Sequence, residues 1–383
     1  MSDNKTCEVL IVGGGPAGST CARALTAAGI DTLVLDKETF PRNKTCTGWI
    51  TPPVVDELQL DIGDYTRSGR VLQPYTGFFT STLGGPEVET RYPSVVSYGI
   101  RRCEFDDYLL RRSGARLLLG EKLESLKREG AGWRVNNRVR AQLVVGAGGH
   151  FCPVARQFGA ELGAAEAVIA GQDVEFEMTP LQLAACTIRP DTPELFFLHD
   201  LSGYAWAVRK QNVLNVGLGR QDNKNLAHHV ESFIDFLKQR GKIAADIPTR
   251  CKGHAYLLYG QTRRALMDHG VLLIGDAAGL AYPQSGEGIR PAVESGLLAA
   301  ATIIEAHGDY SHARLERYVR CIEQRFGPRQ ATTRFNVAGL LPAPLKQSLA
   351  KQALSNHWFS RHVLMDRWFL HRQQAPLADA HRV

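Results

Sequence analysis

Gly13, Gly15 and Gly18 follow directly on the apolar run Cys7-Glu-Val-Leu-Ile-Val12, and that order suits a dinucleotide. Gly13 allows a tight turn, Gly15 lets backbone approach a pyrophosphate, and Gly18 lets a helix pack closely on a strand. Phosphates then meet the unpaired N–H groups and positive dipole end of the helix that starts there. A second apolar run, Thr32-Leu-Val-Leu35, ends at Asp36, where a carboxylate can accept hydrogen bonds from an adenosine ribose.

A second constellation lies far downstream. Val271-Leu-Leu-Ile-Gly275-Asp276 reads as a strand ending in a carboxylate, and Pro283-Gln-Ser-Gly286-Glu-Gly288-Ile289 opens a long helix. Asp276 suits a polyol chain, and a glycine-rich helix start brings backbone N–H groups against a flat ring carrying negative charge. That pair suits a flavin's ribityl chain and reduced ring; a capped strand–helix turn is the plainer alternative. Cys46 lies between Lys44 and Gly48 in a basic loop, where Arg42 and Lys44 would favour a thiolate, so it is a candidate catalytic thiol. Tyr204 and Trp206 alternate on one strand face and could line an apolar or aromatic substrate cavity, or serve only as core.

The elements that must position these residues follow from periodicity. Residues 19–28 and 102–112 read as helices, and 142–146 as a buried strand ending in glycines. Short strands over 70–97, broken by Gly84-Gly85-Pro86, leave the first sheet. Alternating stretches between 167 and 258 predict a mostly antiparallel sheet with a helix over 226–240 lying on it. Everything after Ile289 reads as helical, and residues after Gln373 are expected to be disordered. The expected division is a discontinuous nucleotide-binding domain (1–69, 98–166, 259–310), a substrate domain (70–97, 167–258) and a C-terminal helical region with a basic tail (311–383). That region is expected to pack on the nucleotide-binding domain, though its basic and aromatic residues would also suit a membrane surface.

Composition sets bounds. The 383 residues allow two domains, and the formal charge of +6 suits an anionic cofactor but is too diffuse for nucleic acid. Eight cysteines without CxxC pairs predict a reducing, cytoplasmic setting and no metal site.

The fingerprint, the Arg102-Cys-Glu-Phe105-Asp106 helix start and the Gly275-Asp276 motif together resemble FAD-dependent oxidoreductases of the para-hydroxybenzoate hydroxylase fold. The resemblance implies an α/β architecture: a discontinuous Rossmann-like FAD-binding domain, an inserted mainly antiparallel β-sheet substrate domain and a C-terminal helical region. It implies FAD as cofactor, with Arg102 contacting it, Asp36 on the adenosine ribose and Asp276 on the ribityl region. The expected cofactor set is Gly13, Gly15, Pro16, Ala17, Gly18, Asp36, Lys37, Arg42, Arg102, Gly275, Asp276, Gly286, Gly288 and Ile289.

Two segments resemble the geranylgeranyl reductase branch: Lys44-Thr-Cys46-Thr-Gly48, and Tyr204-Ala-Trp206 running on to Asn215-Val-Gly217. Val208-Arg209 stands where that family has Phe-Pro, and the halogenases' Trp-x-Trp-x-Ile-Pro is absent. Gly148-Gly149 replaces the monooxygenases' Asp-Gly, which counts against ordinary direct reduction by NAD(P)H; His150 beside it reads as a surface loop residue. The implied activity is reduction of C=C bonds in an isoprenoid or other apolar substrate. The alternative is aromatic hydroxylation with NAD(P)H and O2, and a flavin-binding partner or sensor is a third reading. Electrons would come from NAD(P)H or a partner reductase.

Overall fold

The computed structural model describes residues 5–160, 166, 168–222, 224–329 and 343–377, with the backbone alone for 343–346. It divides into two units, each assembled from three stretches of chain: 1–43, 103–167 and 256–332 in the first, 44–102, 168–255 and 333–383 in the second.

The first unit is built on a parallel sheet in the order Val271–Leu273, Val139–Gly146, Lys5–Val12, Thr32–Asp36, Arg116–Leu119, with Met267–Asp268 added antiparallel at one edge. Val9, Leu10, Ile11, Leu143, Val144 and Val145 are buried because helices cover such a sheet on both faces, so its strands read as apolar runs. The chain continues from Lys5–Val12 to Thr32–Asp36 on one side and, later, to Val139–Gly146 on the other. The carboxyl ends of these two central strands therefore flank the switch point where open α/β sheets take ligands. Helix Pro16–Ala27 follows the first strand, and helix Ile289–Ala306 packs beside it; a Cβ at Gly296 would come within 2.6 Å of the Ala17 carbonyl oxygen.

The second unit has a seven-stranded sheet: Lys252–Leu257, Val168–Glu177, Val213–Arg220, Gly203–Lys210, Glu194–Phe197, Gly77–Thr82, Val88–Arg91. Val213–Arg220 pairs antiparallel with Val168–Glu177 and with Gly203–Lys210, as do Gly203–Lys210 with Glu194–Phe197 and Gly77–Thr82 with Val88–Arg91, whereas Glu194–Phe197 and Gly77–Thr82 run parallel. Helix Leu226–Gln239 lays Val230, Phe233, Ile234 and Leu237 on the face formed by Phe196, Ala205, Ala207, Leu214, Val216 and Leu218. The opposite face meets a small sheet (Trp49–Ile50, Ser97–Ile100, Leu72–Tyr75) and the C-terminal helix Ser360–Phe369.

Three expected boundaries change. Residues 44–69 and 98–102 leave the first unit because Trp49–Ile50 is hydrogen-bonded to Ser97–Ile100, and the Ile100 N–H donates to the Gly48 carbonyl. Helix His312–Phe326 joins the first unit, where the Tyr318 hydroxyl donates to the Leu273 carbonyl at 2.8 Å. The rest of the C-terminal region belongs to the second unit, where Leu364, Met365 and Phe369 are buried among Phe78, Leu195 and Trp206. Nor does order end at Gln373: Leu377 is buried and its N–H donates to Glu57 Oε1 at 3.0 Å. Residues 378–383, the end of the expected basic tail, lie outside the described ones. No helix among the described residues is long and apolar enough to cross a membrane.

Candidate cofactor and substrate sites

In the first unit the glycine turn is shaped for an anion. Gly13 has φ +117°, and a Cβ there would lie 2.4 Å from the Ala147 carbonyl oxygen. Gly15 differs: a Cβ on it would meet only Arg42 Nη2, at 3.5 Å. Gly15 is also the N-cap of helix Pro16–Ala27, with no side chain capping it and no acid in the first turn. Arg42 leans over this end, held by Asp106 at 3.2 Å, and its buried Nη1 has no hydrogen-bond partner among the described residues. Unsatisfied N–H groups and a half-used guanidinium facing an open glycine fit a pyrophosphate.

Asp36 is buried at the end of its strand, where Oδ2 accepts the Gly14 N–H at 2.7 Å and Oδ1 the Glu38 N–H at 2.9 Å. Each oxygen keeps a lone pair, so Asp36 both builds the turn and can still accept a ribose hydroxyl. Lys37, the next residue, is exposed, with its Nζ 3.7 Å from Glu38 Oε1. Arg102 is buried at the first residue of helix Arg102–Arg112 and belongs to the second unit's segment.

The downstream motif lies against the fingerprint. Gly275 has φ +59°, and a Cβ there would be 3.0 Å from the Ala17 Cβ and 3.4 Å from that of Ala292. Only a glycine brings the Asp276 turn this close to the start of the first helix. Gly286, with φ +72°, lies under the Tyr256 hydroxyl, and a Cβ on Gly288 would stand 3.1 Å from Asp276 Oδ1. Gly288 caps the helix that Ile289 begins, again without a side-chain cap or an acid in the first turn. Pro16, Ala17, Gly18, Gly275, Asp276, Gly286, Gly288 and Ile289 therefore fall into one constellation, whose residues fit a flavin dinucleotide.

Arg264 escapes a sequence reading. It is buried, paired with Glu166 at 2.7 Å, and donates to the carbonyls of His150 (3.0 Å) and Ala277 (3.1 Å). It thereby ties together the loops that follow two neighbouring strands. His150 is buried too, not a surface residue, because this arginine holds its carbonyl inward. An isolated arginine between loops carries no pattern that would have marked it.

In the second unit Tyr204 and Trp206 share the face that bears the C-terminal helix. Phe369 meets Tyr204 edge-on at 5.4 Å and stacks on Trp49 at 5.8 Å, and Trp49 stacks on Phe78 at 5.0 Å. Trp206 pairs across strands with Gly217, which pairs with Asp173. A Cβ on Gly217 would lie 2.4 Å from Trp206 Cζ2 and 2.7 Å from Asp173 Cβ, so the glycine makes room for both. Asn215, two residues along, accepts the indole N–H at 2.6 Å and donates to Asp173 Oδ2 at 3.3 Å.

Cys46 is held at this polar edge. Its N–H donates to Asp173 Oδ2 at 2.9 Å, its carbonyl accepts from Asn215 at 3.2 Å, and its sulfur accepts the Gly48 N–H at 3.3 Å. The cations expected beside it have other partners: Arg42 pairs with Asp106, and Lys44 Nζ lies 2.7 Å from His254 Nδ1. Lys210, fully buried, donates to Glu175 (2.6 Å) and to the Ile100 carbonyl (2.8 Å). Burial pushes the Asp173 carboxyl up to about 6, even though Asn215 and the Cys46 N–H favour its charged form. Asp173 is a second residue that sequence reasoning missed, since polar residues alternate along Val168–Glu177 as they would on a solvated strand.

Residues 6–326 match the family model described as FAD binding domain. Digeranylgeranylglycerophospholipid reductase 3 of Methanosphaera stadtmanae is 29% identical over 347 residues, covering 84% of each chain. Menaquinone reductase of Mycobacterium tuberculosis is 30% identical over 329 residues, 78% of this chain and 77% of that one. Among solved structures, a geranylgeranyl bacteriochlorophyll reductase-like protein from Thermoplasma acidophilum aligns with a TM-score of 0.76 at 22% identity, covering 98% of this chain and 99% of that one. PqsL of P. aeruginosa, in complex with 2-aminobenzoylacetate, aligns with a TM-score of 0.66 at 17% identity, covering 90% and 100%. At those identities the two structures speak for the fold alone.

Proposed function

This chain belongs to the FAD binding domain family and is an FAD-dependent oxidoreductase, and from that premise we propose that it reduces C=C bonds of an isoprenoid or other apolar substrate. FAD, when bound and reduced, supplies the hydride equivalent. The first unit's glycine turns, Arg42, Asp36 and Asp276 would hold and orient it.

One observation carries the substrate class. The sheet face bearing Tyr204 and Trp206 is aromatic and aliphatic where Phe369 and Met365 cover it, and turns polar at an edge formed by Asp173, Glu175, Lys210 and Asn215. Its apolar part suits a chain with no polar group to satisfy, and Asp173 at the edge, its carboxyl raised toward neutrality by burial, is placed to take up and return a proton. The names of the relatives, digeranylgeranylglycerophospholipid reductase and menaquinone reductase, support a lipid-like substrate. The chain has one dinucleotide fingerprint, so we infer that electrons arrive transiently from NAD(P)H or from a partner reductase.

Peripheral membrane contact belongs to the same proposal. Trp358 and Leu349 are 64% and 49% exposed, and Lys351 and Arg367 are exposed on the same C-terminal helices. Sedimentation with anionic vesicles, lost in Trp358→Ala, is the result expected.

The function is tested by reducing the flavoprotein anaerobically and adding a polyprenyl compound. Reoxidation without oxygen, with a saturated product, is expected. Reoxidation only by oxygen, with hydroxylation of an added aromatic, would overturn the reading in favour of a monooxygenase.

A further inference from the structure

Glu287 sits between the two glycines of the turn that opens helix Ile289–Ala306, and the roles assigned above make no use of its side chain. The residue as a whole reaches the surface in part, but its Oε2 is out of contact with solvent and has no hydrogen-bond partner among the described residues. Oε1 accepts the Arg290 backbone N–H at 3.2 Å, in the first turn of the helix. Burial pushes this carboxyl up to about 7, against the Arg290 charge and N–H, which favour ionisation. A helix N-terminus alone would hold a glutamate ionised, so desolvation wins here.

The charges facing it are unevenly matched. On its own helix lie Arg290 and Glu294, both fully buried, with Arg290 Nε donating to Glu294 Oε1 at 2.8 Å. From helix His312–Phe326, Arg325 donates to both oxygens of Glu294. Before the turn stands Tyr282, whose phenol burial keeps protonated, and Asp276 Oδ1 borders Gly288. Of these groups, Arg290 favours an ionised Glu287 and Glu294 disfavours it. A further negative charge on this turn would add to the disfavouring side and raise the carboxyl's affinity for a proton.

We propose that Glu287 is a proton acceptor linked to reduction of the cofactor: its carboxylate takes one proton from solvent onto Oε2 when FAD held at this turn gains two electrons and one proton. The inference rests on the FAD reading of the turn. The electrons come from an external reductant, a reduced nicotinamide in use or dithionite in the test. One O–H bond forms on Glu287, no bond of the protein breaks, and the negative charge gained by the ring is matched by the charge that Glu287 loses.

The test is an anaerobic potentiometric titration of FAD-loaded wild type and E287Q from about pH 6 to about pH 9, spanning the buried carboxyl's range. Above neutrality the midpoint potential should fall with pH about twice as steeply in the wild type, because two protons rather than one accompany two electrons. The reduced-minus-oxidised infrared difference spectrum of the wild type should gain a protonated-carboxyl band. Equal slopes with FAD bound, or no such band, would overturn the linkage while leaving the FAD reading intact. If E287Q loses FAD, the wild-type infrared spectrum decides alone. A wild-type chain that holds no FAD overturns the reading and the linkage together.

Discussion

Gly13 and Gly15 differ by two positions and have opposite tolerances. Gly13→Ala drives a methyl into backbone at 2.4 Å and adopts a strained φ, so it should lower stability and FAD content together. Gly15→Ala meets only the end of a flexible arginine at 3.5 Å, so it should keep its melting temperature and lose FAD. Thermal melts beside flavin absorbance separate the two. Asp173 gives a pH signature. Its folded-state carboxyl titrates at about 6 against an ordinary 3.8, so the native state binds more protons than the unfolded chain between those values. Its contribution is complete below the lower value and is lost as pH rises through the higher, by on the order of 3 kcal/mol. Asp173→Asn removes that titration, so the variant should be more stable than wild type above pH 6 and lose the advantage at acid pH. Denaturant titrations at both ends of the window check this, and turnover should fall in the same variant. The glycines and Asp36 are legible in the chain because backbone geometry restricts residue type there. Asp173 and Arg264 are not, since what makes each matter is a partner far away in sequence.

Strands and helices carry the next level of argument. The apolar runs at 7–12 and 142–146 announce parallel strands because both faces are covered, and helix Leu226–Gln239 shows its buried stripe in its spacing. The two-residue strand Trp49–Ile50 is invisible by the same reasoning: it is too short for any period, and its place is set by Gly48 and Ile100. The C-terminal helix is legible as a helix but not as the cover of the aromatic face, because aromatics beside basic residues read equally as membrane-facing. Its cover is testable. Phe369→Ala removes a ring packed on Trp49, Phe197 and Tyr204, and should destabilise the protein by about 3–5 kcal/mol. Gly217→Ala should push the Trp206 indole off Asn215, costing about 1–3 kcal/mol and shifting tryptophan fluorescence. If either variant melts and emits like wild type, the packing described for that face is wrong.

At the scale of the whole molecule, the chain passes between its two units five times, at residues 43, 102, 167, 255 and 332. Strand Lys5–Val12 emerges early, yet one neighbour, Val139–Gly146, comes much later, and the edge beyond that waits for Val271–Leu273. During synthesis, then, neither half can close on the ribosome as a finished domain. The nucleotide-binding half waits for the helix that ends at Phe326, and the other half for Phe369. Chains released early would expose the apolar edges of both sheets at once, and unpaired edges of that kind are prone to aggregate.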